Sequence, residues 1–177
     1  MDNNKQGSYG TFFAMIATAM VAMFILMYTN SYQLLDHAWF SETRMYMTLI
    51  MGGSMMIIML AFMLQMYKSN KVNVAIFAVG ALMLLGSIWL VRSQATVDDV
   101  DYMEGMIPHH SIAILTSERA GIEDSRVQTL AREIIDAQRR EIKEMEWLIQ
   151  DIKENGIVKT EEEANARAVP KFKPTSE

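Results

Sequence analysis

Residues 99–110 read DVDYMEGMIPHH, and the rest of the chain is organised around them. Two adjacent histidines, His109 and His110, follow Pro108, and Met103 and Met106 lie within the two helical turns before them. Three acids, Asp98, Asp99 and Asp101, stand at the front, and the chain has only three histidines in all. The stretch begins a few residues after the last apolar run, so it predicts a metal site held beside a membrane.

Working outward, composition narrows the chemistry. The chain has 177 residues and no cysteine, which excludes disulfides, zinc–thiolate sites and thiol nucleophiles. Its net charge of −5 is unevenly placed. Residues 92–177 hold 12 Lys/Arg against 18 Asp/Glu, while residues 1–91 hold four basic and three acidic groups. An acidic polar half argues against nucleic acid and for cations as partners.

Towards the N-terminus, three uncharged apolar runs, at about 11–29, 45–67 and 72–91, are each long enough to cross a bilayer core as a helix. The first is too long for the apolar core of a typical signal peptide, and Tyr28-Thr29-Asn30 is a poor cleavage site. Tyr28, Tyr32, Tyr67 and Trp89 lie near run ends, where amphipathic rings favour the interface. Lys5, Lys68 and Lys71 fall on one side, Arg44 and Arg92 on the other. That three-to-two bias favours an inside N-terminus and an outside C-terminal half. In the second run Met47, Met51, Met55, Met59 and Met63 recur every fourth residue. The pattern reads as flexible packing rather than a thioether track, and Gly52-Gly53-Ser54 permits close helix approach.

Towards the C-terminus, the pattern predicts a helical hairpin. Thr96 is placed to cap a helix over about 97–119, Ala120–Ser125 to form the turn, and a second helix to run over about 126–154 before Asn155-Gly156. The second helix carries an apolar seam of Val127, Leu130, Ala131, Ile134, Ile135, Met145, Leu148, Ile149 and Ile152, interrupted at Gln138 and Glu141. On the first helix Asp99, Met103, Met106, His110, Ala113 and Ser117 share one stripe. A turn near residue 122 sets Met106 opposite Gln138, His110 opposite Ile134, Met103 opposite Glu141 and Asp99 opposite Met145. Polar groups inside a seam need partners, and the Met/His stripe supplies candidates. Pro108 predicts a local kink. His37, in the polar loop after the first run, reads as an ordinary loop residue.

Two linked motifs then carry a resemblance. Asp99-Val-Asp-Tyr102, Met106-Ile-Pro-His109-His110 and the later Ala131, Ile134-Ile135, Gln138, Glu141-Ile142, Met145, Trp147-Leu148 resemble the signature of the domain of unknown function 305 family. The resemblance implies a ferritin-like helical fold, usually exported, with copper or silver bound through Met and His in some members. It carries over to Asp99, Met106, His109, His110, Gln138, Glu141 and Met145; Met103 is added from the stripe. Many members hold two such hairpins in one chain. This chain has one, so a homo-oligomer, two chains closing a four-helix bundle, is expected.

The expected architecture is therefore all-α. Residues 1–92 form three transmembrane helices, 93–156 a ferritin-like antiparallel hairpin completed by dimerisation, and 157–177 a mostly disordered tail with a short helix capped by Thr160. The expected function is that of a non-enzymatic, membrane-anchored binder of Cu(I), Cu(II) or silver in a bacterial inner membrane, its hairpin extracytoplasmic. Two alternatives stand beside it. A structural or signalling module would simply dimerise, without metal. A di-iron oxidoreductase would need inward Glu-x-x-His pairs, and none occurs here.

Overall fold

A computed structural model describes residues 8–29 and 39–173. Among these the chain forms six α-helices and no strand: α1 Tyr9–Leu26, α2 Glu42–Met63, α3 Asn70–Ser93, α4 Asp99–Arg119, α5 Ser125–Asn155 and α6 Glu161–Ala166. They fall into two compact units. One holds α1, α2 and α3; the other holds α4, α5 and α6 together with the stretch that ends at Ser41.

In the first unit all three helices are long and apolar enough to cross a membrane. Here α1 and α3 each pack on α2. Gly53 explains how closely α3 can approach: a Cβ there would lie 2.8 Å from the Gly80 carbonyl oxygen and 2.9 Å from Leu84 N. A Cβ on Gly52 would overlap the Met20 side chain of α1 in the same way. Bare backbone thus replaces side chains at the crossings, the usual solution where apolar contrast with the surroundings is weak. The core is Phe12, Ile16, Met56, Leu60, Tyr67 and Ile76, with Met20, Met55, Met59, Met63 and Met83 packed round it. Three members of the methionine row of α2, Met55, Met59 and Met63, are therefore part of the packing, while Met47 is exposed.

The helix ends differ from expectation. α2 begins at Glu42 and so takes in Arg44, which is buried and donates to the Met27 carbonyl at 2.9 Å, just past the end of α1. A cation on a helix's free carbonyls is favourable, and this contact outweighs the cost of a charge inside an apolar segment. Tyr67, expected at the water interface, is buried instead, its ring 4.9 Å from Tyr9 and 5.6 Å from Phe12. Tyr32 lies outside the described residues.

In the second unit α4 starts two residues later than expected. Asp98, not Thr96, is its N-cap: its Oδ1 accepts from the Val100 and Asp101 amides at 2.9 Å, and Asp101 reaches back to complete a capping box. Thr96 instead donates to Glu42 Oε2 at 3.0 Å, where the Tyr46 hydroxyl also donates at 2.9 Å. The helix runs through Pro108, which is fully buried. Asp124 caps α5, and Gly156 ends it with φ +79°, a conformation that suits glycine. Thr160 caps α6 as expected. Just after α6, Arg167 grips the Asp151 carboxylate of α5 and donates to the Gly156 carbonyl at 3.0 Å. The arginine holds the Asp151 carboxyl below the usual carboxylate range.

Candidate metal centre

Burial redraws both seams of the hairpin. On α5 the inward residues are Ala131, Ile135, Gln138, Ile142, Met145, Ile149 and Ile152, spaced alternately by four and three, the repeat that keeps a straight seam facing a partner helix. Ile142, absent from the expected seam, is 4% exposed, and Glu141 only flanks it. Val127 and Leu130, expected inside, are about half exposed, at 46% and 54%. On α4 the buried residues are Met103, Ile107, Pro108, Ser111 and Ile114, with Val100, Met106 and His110 partly buried beside them. His110 on α4 and Gln138 on α5 are thus polar residues set in or beside runs of apolar ones.

The register also shifts. His110 Nε2 lies 3.6 Å from Glu141 Oε2, Arg139 pairs with Glu118 at 2.6 Å, and Lys153 pairs with Glu104 at 2.7 Å. The first of these pairs centres the hairpin at about residue 125 rather than 122, and the other two place it later still. The cause is the connection. The side-chain amide of Gln128 donates to the Ile122 carbonyl at 2.8 Å, so the loop leans on the first turn of α5 and that turn becomes part of the bend. The expected pairs Met106/Gln138, His110/Ile134, Met103/Glu141 and Asp99/Met145 are therefore replaced. The new register sets Met106 level with Met145, one turn from the His110–Glu141 pair.

The predicted ligands sort accordingly. His110 is mostly buried, its side chain 15% exposed, and its Nδ1 is buried with no hydrogen-bond partner. Gln138 Oε1 is likewise buried and unpartnered. Met103 and Met145 are buried in one cluster with the partly buried Met106. Glu141 stands at the rim, shared between His110 and, at 3.8 Å, Arg140. His109 is exposed, with its ring 6.2 Å from that of His110. Asp99 is an exposed first-turn acid, about 16 Å along the helix axis from His110, too far to share an ion with it. His37 lies outside the described residues.

Electrostatics favour a neutral ring at His110. Burial lowers its pKa below the ordinary 6.5; Glu141 pulls it up and His109 pushes it down. Neutral imidazole is the form that binds metal. Among the described residues no three His, Asp or Glu side chains group closely enough to hold an ion. Along this part of the hairpin stand one mostly buried imidazole, a buried amide oxygen and three thioethers, donor types that suit a soft monovalent cation better than iron(II) or calcium.

One contributor escaped the sequence reading. Trp39 packs against the hairpin cluster with its Nε1 buried and unpartnered, and the Lys153 ammonium sits 5.8 Å above its ring. Its amphipathic neighbours in a polar loop gave no periodic signal by which to find it.

Comparison with known proteins bears on this hairpin. Residues 99–174 match the family model described as domain of unknown function (DUF305). An uncharacterized protein of Acanthamoeba polyphaga mimivirus is 30% identical over 147 residues, 79% of this chain and 94% of that protein. No solved structure matches the chain.

Proposed function

We propose, from the premise that the chain belongs to the domain of unknown function 305 family, that it is a membrane-anchored binder of a soft metal ion, copper(I) or silver. His110 would hold the ion with Met106 and Met145; Gln138 lies on the other side of His110 along the seam, and Met103 a further turn from Met106. Glu141 orients the imidazole from the rim, as carboxylates commonly do for metal-binding histidines. His109 contributes at the surface, and Asp99 caps its helix rather than ligating. A bound ion supplies no reaction here; the role is capture, so no enzymatic step is assigned.

One observation supports this reading above the others. A buried imidazole nitrogen with no partner costs roughly 1–3 kcal/mol. It lies on the helix that carries the clustered Met103 and Met106, at a position where leucine would pack without penalty. A ligand recovers that cost. On the charge count the hairpin lies outside the membrane and the Lys68–Lys71 end inside.

Competition of the detergent-solubilised full chain against a chromophoric copper(I) chelator tests it. His110→Ala should weaken binding at least tenfold and His109→Ala much less. Equal affinity in His110→Ala and the parent chain overturns the reading.

The exposed Val127 and Leu130 on α5 favour a second, compatible reading, in which two hairpins close a ferritin-like four-helix bundle. Sedimentation of the solubilised chain should give a dimer, and Leu130→Glu a monomer.

A further inference from the structure

In the first unit, α1 and α3 are pinned to each other at one end, where the Tyr9 hydroxyl donates to Asn73 Oδ1 at 2.8 Å. Near that pin the two helices leave an open groove of about 290 Å³, lined by Phe13, Lys71, Val72, Ala75, Ile76 and Val79. From Lys71 to Val79 is about 12 Å of helix. The volume lies at the lower end of small-molecule sites, and its lining is almost wholly hydrocarbon. That is a slot for a single alkyl chain, beside the exposed Lys71.

Charge around the groove points the same way. Lys68 and Lys71 are both exposed, and no acid occurs between Tyr9 and Leu26 or between Met63 and Ser93. The other end of the unit carries Glu42 with Arg44 and Arg92. Lys71 also sits in the first turn of α3, so its charge adds to the positive end of that helix.

We propose that this groove holds one acyl chain of an anionic phospholipid, with Lys71 binding its phosphate. The groove distinguishes a site from the general attraction of basic residues to an anionic leaflet. At a site, Lys71 matters more than its neighbour Lys68; in a diffuse field the two count alike. The proposal rests on α1–α3 crossing the bilayer and is independent of any metal.

The test is native mass spectrometry of the detergent-purified full chain, exchanged with phosphatidylglycerol or phosphatidylcholine. Retention in alkali-washed membranes is checked first, because release there would sink the membrane reading on its own. Phosphatidylglycerol should be retained over phosphatidylcholine, Lys71→Gln should lower that preference about fivefold, and Lys68→Gln should lower it less. Ala75→Trp, at an exposed lining position, should remove bound lipid of both kinds while Lys71 stays. Equal retention of the two lipids, equal effects of the two lysine variants, or undiminished binding in Ala75→Trp would each overturn the proposal.

Discussion

His110 Nε2 on α4 stands 3.6 Å from Glu141 Oε2 on α5, too long for a strong hydrogen bond and close enough for each charge to feel the other. Burial and His109 depress the imidazole pKa, and Glu141 opposes them. Glu141→Gln removes the upward pull, so His110 should titrate at a lower pH still. An NMR titration of the ring protons checks this; a midpoint that rises would contradict it.

The same depression makes stability depend on pH. In the unfolded chain His110 takes up its proton near pH 6.5, in the folded chain only lower. The stability held in the neutral ring is thus complete above about 6.5 and drains away as pH falls to the folded value. Asp151, held low by Arg167, adds a separate loss below its ordinary 3.8. Thermal unfolding followed by circular dichroism should show the first loss in the parent chain and not in His110→Leu.

Replacing the two seam interruptions by apolar residues should stabilise the hairpin. His110→Leu and Gln138→Leu each remove a buried orphan atom worth roughly 1–3 kcal/mol. Denaturant melts of the solubilised chain should show the gain, and copper(I) affinity should disappear with it. A double variant that is both less stable and still binds copper would refute the assignment.

Gly53→Ala should destabilise the first unit by about 1–3 kcal/mol, since its Cβ meets the backbone of α3. Gly86→Ala, whose Cβ would meet nothing within 4 Å, should be neutral or stabilising by roughly 0.5–1 kcal/mol. Unfolding in mixed micelles separates the two.

Arg167→Ala should free α6, because its carboxylate and carbonyl contacts on α5 are lost together. Limited proteolysis should then cut at Lys159 sooner, with α5 still intact.

The helices themselves were legible in the residues. Three uncharged runs and two capped, periodic segments leave little choice of class, and Gly52-Gly53 announced a close crossing that the backbone makes. What periodicity could not resolve was rotation and register. Glu141 and Ile142 are neighbours, and a turn of one residue decides which faces inward; the alternating three–four spacing through Ile142 wins because it buries more hydrocarbon. Register depended on one Gln128 side chain bracing the loop, a contact invisible before folding. His110, Met103, Met106, Gln138 and Met145 fall within or beside the real seam, whereas Asp99 was carried along by a stripe that rotates out of it.

Trp39 ties together distant parts of the chain. Lys153 touches its ring and Glu104 at once, so segments near residues 39, 104 and 153 meet at one ammonium. α4 and α5 are adjacent in the chain and can find each other quickly, but the tryptophan that shields their far end is synthesised before two long apolar helices. An excised C-terminal fragment beginning after α3 would therefore leave part of its Met103–Ile149 cluster bare. The hairpin draws on sequence from both sides of α2 and α3, and a truncation that starts after α3 is a different molecule from the one the full chain builds.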